Sequence, residues 1–265
     1  MARLLDESAP MKTITLRWTS LVCLSAASLL GGCAAGPNPI DPYEKTNRSL
    51  YNFNEGLDRF VLKPMADFYV GVFPRPIRIG LGNAFDNLVY GNVIFNDFLQ
   101  GKWGQGWGDF GRFAVNSTVG IGGIFDVATG WHLPAHENDF GITLAKWGAK
   151  PGAYLVLPLF GPSSVRDAPG LGVKVLTNPI TWIAAPWAAT IPLAVSDIVD
   201  LRSRGGVLVN FRNEAALDPY VFTRDAYLQY RANVTHQAAT QPDESLYDVD
   251  DTTAATAPAT QPAKK

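Results

Sequence analysis

Between Lys174 and Asp197 the chain runs for 22 residues without a single charge. A helix of roughly 20 apolar residues is enough to cross a hydrocarbon core of about 30 Å. This stretch, however, carries Pro179, Pro186 and Pro192. An interior proline removes a backbone donor, clashes with the preceding turn and costs about 3 kcal/mol in a helix. The stretch is therefore expected as pieces of a turn or two rather than as one rod. Broken apolar helices persist at membrane depth only where protein covers the freed backbone groups. Two readings stay open: a segment lying within one leaflet, and a buried hairpin in the core of a water-soluble domain.

Composition narrows the field. The 265 residues are only 17% charged, against about 25% in ordinary globular domains. The 22 Lys and Arg balance 24 Asp and Glu, which leaves no basic face to displace phosphate counterions and excludes nucleic acid as a partner. Two cysteines are too few for a disulfide scaffold or a multi-cysteine zinc site.

The chain opens with an address. Met11 is the expected start, because Lys12 and Arg17 then form a short positive region ahead of the fifteen uncharged residues from Trp18 to Gly32. That is a secretory signal, too short to span a bilayer. It ends Leu30-Gly31-Gly32-Cys33, small residues ahead of a cysteine, and resembles a bacterial lipobox. Cys33 would then be lipidated and become the first mature residue, with three acyl chains, palmitate among them, anchoring the protein for good. Each buried methylene adds about 0.8 kcal/mol to such an anchor. An Asp directly after the cysteine marks inner-membrane retention in well-studied lipoproteins. Ala34 stands there instead, which by resemblance favours the outer membrane. With Cys23 in the removed segment, no thiol remains for catalysis or metal.

Four segments are expected: a signal over residues 1–32, a lipidated N-terminus and linker over 33–40, one mainly helical domain over 41–235, and a disordered tail over 236–265. A first helix should begin at Pro42 with Asp41 as its cap and stop at Pro64. After a loop at Phe73-Pro74-Arg75-Pro76, a long helix should carry Ile77, Leu81, Phe85, Leu88, Asn92, Phe95 and Leu99 on one stripe. A third should run from Trp107 to Ser117 with Phe110, Phe113 and Ala114 on one side. Residues 119–126 hold too much glycine for a helix, and Tyr154 to Phe160 suits an extended run. A last helix should start at Asp218-Pro219 and reach Val234. The Ala, Thr, Gln and Pro beyond it cannot bury enough apolar surface to order themselves.

No catalytic constellation emerges. His132 and His136 are four apart, but Pro134 between them breaks the helical face that a zinc pair needs. No serine sits in a nucleophile elbow, and Gly120-Ile121-Gly122 is followed by Phe125 where a dinucleotide loop needs its third glycine. Arg166-Asp167, beside Pro169-Gly170, reads as a satisfied structural turn. The expectation is a protein that is not an enzyme and needs no cofactor or metal.

The residues do resemble a family. Asp41-Pro42-Tyr43-Glu44, Asn47-Arg48, Tyr51-Asn52-Phe53-Asn54 and Leu57-Asp58 are similar to the opening of the MlaA/VacJ lipoproteins. The likeness continues through Asn83, Asn87, Leu99-Gln100-Gly101, Arg112-Phe113 and Asn116 to Gly123. It goes on through Phe140-Gly141, Thr143-Leu144, Pro151-Gly152, Gly161-Pro162 and Arg166-Asp167, and closes with Asp218-Pro219-Tyr220. This covers roughly residues 41–231.

The resemblance implies a ring-like helical domain embedded in the inner leaflet of the outer membrane and broken by Gly/Pro loops. It also implies removal of stray phospholipid from the outer leaflet and its transfer to a soluble periplasmic carrier resembling MlaC, with a trimeric porin as companion. Lipid asymmetry of the outer membrane would thereby be maintained. A charged headgroup crossing an apolar zone needs polar partners without fixed net charge. Asn116, Ser117, Thr118, Gly120, Gly122 and Gly123 suit such a path or gate, or else simply a tight turn between helices. A structural or porin-accessory lipoprotein without transport, and less so a lipoprotein phospholipase, are the competing functions. If Cys33 carries the anchor, Cys33→Ser should leave the precursor uncut there and abolish palmitate labelling. Unchanged labelling would refute the lipobox.

Overall fold

The computed structural model describes residues 38–178 and 187–240. The signal segment, Cys33, Pro179, Pro186 and the tail beyond Thr240 lie outside those residues. The described chain is mainly helical, with one short β-hairpin.

Helix α1, Glu44–Leu57, begins two residues beyond Pro42, and Asp41 does not cap it. The Asp41 side chain is buried instead, accepting from Asn47 Nδ2 at 2.8 Å and from the Tyr220 hydroxyl. Nor does Pro64 end the helix. A π-helical turn, Asp58–Leu62, carries the rod into α2, Lys63–Val72, with Pro64 in its first turn. Widening the turn gives the pyrrolidine ring room beside the preceding carbonyls, so the expected break becomes a bulge. The expected break does fall at Phe73-Pro74, after which α3 runs from Arg75 to Leu99. Helices α4, Trp103–Thr118, α5, Val127–Gly130, and α6, Phe140–Lys146, follow.

The extended run is shorter than expected. Strand β1, Tyr154–Leu157, turns back through Leu159 at φ 69° and Gly161 at φ 78° into β2, Gly161–Ser164. Tyr154 faces Ser164 and Leu157 faces Gly161 in an antiparallel register. Helix α7, Gly170–Thr177, precedes α8, Trp187–Arg204, which contains Pro192 without breaking there. After α9, Gly206–Ala215, the last helix α10 spans Pro219–Thr240. Asp218 caps it by accepting from the Tyr220 and Val221 amides at 3.0 and 3.2 Å, with Pro219 in first place. It runs past residue 235, so residues 236–240 belong to the helix rather than to a disordered tail.

The packing is inverted. Among the described residues eight apolar side chains are buried, against eighteen polar or charged ones. Phe60 at 74%, Trp107 at 62% and Val207 at 78% exposure are typical of a large apolar exterior. Along α3 Ile77 and Phe95 of the expected stripe are exposed, Leu81, Phe85, Leu88 and Leu99 are half-buried, and Asn92 is buried together with Asn87, Asn96 and Asp97. Likewise α4 exposes Phe110 and buries Gly106, Asp109, Arg112 and Asn116. Both helices thus bury polar side chains while leaving some large apolar ones exposed, as suits a chain whose surroundings are apolar. No described helix is long and apolar enough to cross a membrane.

The apolar core that exists joins the two ends of the domain. Tyr51 of α1, Tyr154 and Val156 of β1 and Tyr220 of α10 form one buried cluster, with Tyr51 edge-on to Tyr220 at 5.6 Å. Asn47 fastens it, donating to the Tyr154 carbonyl at 3.0 Å and accepting from the Val156 amide at 2.9 Å. Removing that amide strands two buried backbone groups and the Asp41 carboxylate. Asn47→Ala should therefore cost about 2–4 kcal/mol, since each orphaned buried group costs about 1–3. A urea midpoint within error of the parent would show that the amide is dispensable.

Candidate functional site

Polar groups fill the interior in connected sets. Along α3, Asn96 Nδ2 donates to the Asn92 carbonyl at 2.7 Å and Asn96 Oδ1 accepts from the Thr143 hydroxyl at 2.8 Å. Gln100 Nε2 donates to Asn138 Oδ1 at 2.6 Å and to Thr143 Oγ1 at 2.9 Å. These steps of four along one helix place the amides on one face.

At the end of this ladder two fully buried carboxyl groups meet. Asp97 Oδ1 accepts from Asn138 at 2.7 Å and Gln105 at 2.8 Å, while Oδ2 has no donor. Its neighbour is the Asp109 side chain on α4, whose Oδ1 accepts from the Tyr90 hydroxyl at 2.6 Å and lies 2.9 Å from His136 Nδ1. A carboxylate beside another disfavours ionisation, so one of the pair takes up a proton more readily. Burial first, and then Asp109, push the Asp97 carboxyl up to about 7. Burial pushes Asp109 the same way, but His136, Asp97 and Tyr90 together outweigh it and hold its carboxyl low.

A second set joins the family-like motifs. Arg231 of α10 forks to Asp139 at 2.6 and 3.0 Å and to Asp167 at 3.0 Å on each oxygen. Asp167 also accepts from Tyr227 at 2.7 Å and from its neighbour Arg166 at 2.8 Å. Burial raises the Asp167 carboxyl, yet Arg166, Tyr227 and Arg231 prevail and bring it down to about 2. Asp139 caps α6 through the Ile142 amide at 2.9 Å. Gly141 lies so close that a Cβ there would stand 2.2 Å from Asp167 Oδ1. Phe140 lies edge-on to Trp147 beside it, and Leu144, half-buried, takes the Ala149 amide on its carbonyl.

The other motif positions also build the frame. Arg48 ties α1 to the α10 cap through Asp218 at 2.8 Å and lies 4.4 Å over the Tyr220 ring. Asn54 holds the hairpin by donating to Leu157 O at 3.0 Å and accepting from the Leu159 amide at 2.9 Å. Phe53 is exposed.

The glycine-rich loop is pinned at both ends. Asn116 donates to Asp126 at 3.1 Å and accepts from the Ala128 amide at 2.9 Å, and Arg112 holds Asp126 at 2.8 Å. Ser117 accepts from Asn87 at 2.9 Å, whereas the Thr118 hydroxyl turns back onto its own helix. A Cβ on Gly120 would meet the Phe125 carbonyl at 2.3 Å, and one on Gly123 would meet Asn87 at 2.5 Å. Gly122, at φ 70°, has nothing within 4 Å. Close packing thus explains two of the three glycines, and Gly122 alone faces open space.

Two larger cavities adjoin α2 and α8. One, of about 560 Å³, is apolar and bounded by Met65, Phe68, Phe85, Leu193 and Val199 among others. The other, of about 580 Å³, is polar and bounded by Asn52, Glu55, Asp58, Arg59, Arg202 and Asn210 among others. Sequence reasoning missed Arg231, the Asp97–Asp109 pair and both cavities. The only local signal was the four-residue spacing of Asn92, Asn96 and Gln100.

The MlaA lipoprotein family model matches residues 39–234. The intermembrane phospholipid transport system lipoprotein MlaA of Escherichia coli (strain K12) is 32% identical over 231 residues, covering 82% of this chain and 89% of its own. The protein of the same name from Haemophilus influenzae is 31% identical over 261 residues, covering 91% of this chain and 100% of its own. A chain solved in work on the structural basis for maintenance of bacterial outer membrane lipid asymmetry superposes with a TM-score of 0.64 at 29% identity. That superposition covers 74% of this chain and 98% of the other.

The acid pair sets a pH response. Asp97 has a folded pKa above the ordinary 3.8, so between about pH 4 and 7 the folded protein holds a proton that the unfolded chain releases. Its contribution to stability therefore falls as pH rises through that window and is flat above it. Asp97→Asn keeps an acceptor for Asn138 and offers Asp109 a permanent donor. At pH 8 it should raise Tm by about 4 °C or more, the shift that 1–2 kcal/mol gives at this size, with little change at pH 4. An equal shift at both pH values would deny the raised Asp97 carboxyl.

Proposed function

This chain belongs to the MlaA lipoprotein family, and on that premise we propose that it clears phospholipid from the outer leaflet of the outer membrane. Anchored by Cys33 and facing the periplasm, it hands the lipid to a soluble carrier, beside a trimeric porin. The lipopolysaccharide surface is thereby kept free of phospholipid.

The observation that carries this reading is the inverted packing. A phospholipid moving between leaflets must take its phosphate through a zone where an unpaired charge costs several kcal/mol. A body apolar outside that holds amides, hydroxyls and paired charges within supports the reading of a polar route in that zone. It holds them without a fixed excess of charge that would trap the headgroup. The apolar exterior suits acyl chains, so both halves of the substrate meet matching surroundings.

The loop at 116–123 remains our candidate for part of the route, and Gly122 is the position that tests it. Asn tolerates a positive φ, so Gly122→Asn keeps the turn while adding a side chain to the open space. It should leave protein level and lipidation unchanged, raise surface phospholipid several-fold, and sensitise cells to detergent with a chelator. Gly123→Ala, which collides with Asn87, should instead lower the amount of folded protein. Normal lipid clearance by Gly122→Asn would remove the loop from the route.

A further inference from the structure

The polar and apolar cavities lie along the same two elements, the α1–α2 rod and α8. On the first rod Phe60 lies in the π turn, and Pro64 and Phe68 follow it on one face of α2. Phe60 bounds the polar cavity, while Pro64 and Phe68 bound the apolar one. On α8 Val195, Val199 and Arg202 follow at steps of four and three, again one stripe. The first two bound the apolar cavity and the third the polar one. The furrow between the α1–α2 rod and α8 therefore changes from hydrocarbon to charge along its length. The change falls where the rod adopts its π turn, Asp58–Leu62, a distortion frequent at functional sites.

The charges at the polar end are not equivalent. Arg202 is spent on Asp58, and Glu55 is engaged by Arg212 at 2.7 Å. Lys63 is paired with Asp67 at 2.7 Å. Arg59 alone among the described cations of this cavity has no carboxylate partner. Its guanidinium lies 5.6 Å from the Phe60 ring centre, at an exposed position. Asn52, Asn210 and Asn213 add neutral donors around it. A guanidinium with its fork unoccupied suits a phosphate better than any other common group. At the other end, about 560 Å³ falls within the range of roughly 300–1,000 Å³ that holds a ligand of some size. Its lining is apolar but for the Tyr69 hydroxyl, which is engaged by Asp200 at 2.9 Å, and Ser196.

We propose that this groove is a binding site for one glycerophospholipid, with its phosphate on Arg59 and one acyl chain between Phe68, Phe85 and Leu193. The assignment rests on the transport reading above and adds to it a place where the lipid is held. Arg59 selects the phosphate, and the apolar end selects the chain. Because Arg59 sits on the outer face of the π turn, the headgroup enters without displacing an existing ion pair.

The test uses the full lipidated protein in nanodiscs, exposed to phosphatidylethanolamine or to diacylglycerol of the same chains, with retained lipid counted by native mass spectrometry. The parent should retain one phosphatidylethanolamine and at least tenfold less diacylglycerol. Arg59→Gln, an exposed substitution that spares the fold, should erase that preference. Leu193→Trp, which fills the apolar end, should reduce retention of both. Equal retention of the two lipids by the parent, or a preference unchanged in Arg59→Gln, would overturn the site. Surface phospholipid in cells making the parent protein is scored separately. Clearance without any retained lipid would sink the site and leave the transport reading standing. Retention without clearance would do the reverse.

Discussion

A polar group buried inside a body whose exterior is apolar has no water to turn to. Every amide, carboxylate and guanidinium that this chain places inside must therefore be answered by the chain itself. The Arg231 fork shows how that constraint organises the fold. Its four contacts reach the cap of α6 and the turn after β2 from a helix more than sixty residues further on. Burial disfavours its charge, but Asp139 and Asp167 outweigh the penalty and hold the guanidinium ionised. A lysine has no planar fork to reach two carboxylates at once. Loss of both partners would leave a buried charge uncompensated, a defect of about 3–5 kcal/mol.

The same constraint accounts for the order of the other sets. Arg112 and Asn116 of α4 answer Asp126, whose carboxyl burial would raise but which Thr129, Arg112 and Asn116 bring to about 2. That fixes both ends of the glycine-rich loop and leaves its tip at Gly122 uncommitted. Where α3 and α4 bring Asp97 and Asp109 together, burial and the neighbouring carboxylate raise the Asp97 carboxyl instead. An ion pair resists pH across the physiological range, whereas a carboxyl raised to about 7 does not. The seam between these two helices is therefore the titratable part of an otherwise pH-stable interior.

Much of the frame was legible in the sequence because it depends on local chemistry. The long α3 follows from its period and from the proline pair before it, and the α10 start follows from Asp218-Pro219. The family-like motifs named the residues that tie the frame, among them Asp41, Asn47, Gly141 and Asp167. Two kinds of feature were not legible. Periodicity identifies a helical stripe without saying whether core or lipid lies against it, so the exposure of Ile77 and Phe95 could not be read from it. Contacts such as Arg231 with Asp167 or Asp97 with Asp109 are made by the fold, and no spacing along the chain announces them. Prolines misled in the other direction. Pro64 and Pro192 both sit within continuous rods; beside Pro64 a π turn leaves room for the ring, while Pro192 lies inside α8.

Helix α8 is graded from uncharged to charged along its length. Its uncharged part, residues 187–196, is ten residues long. At 1.5 Å per residue that rises about 15 Å, half of a hydrocarbon core about 30 Å thick. Charge then enters at Asp197 and accumulates quickly. Asp200 pairs with Arg204 at 2.9 Å, Arg204 reaches Asp86 at 2.8 Å, and Arg202 holds Asp58. One helix thus begins in residues suited to acyl chains and ends in a cluster suited to headgroups. The neighbouring rod makes the same transition in the opposite chain direction, from the charges around Asp58 to the apolar side chains of α2. Two antiparallel elements graded in register produce a furrow with one wet end and one dry end.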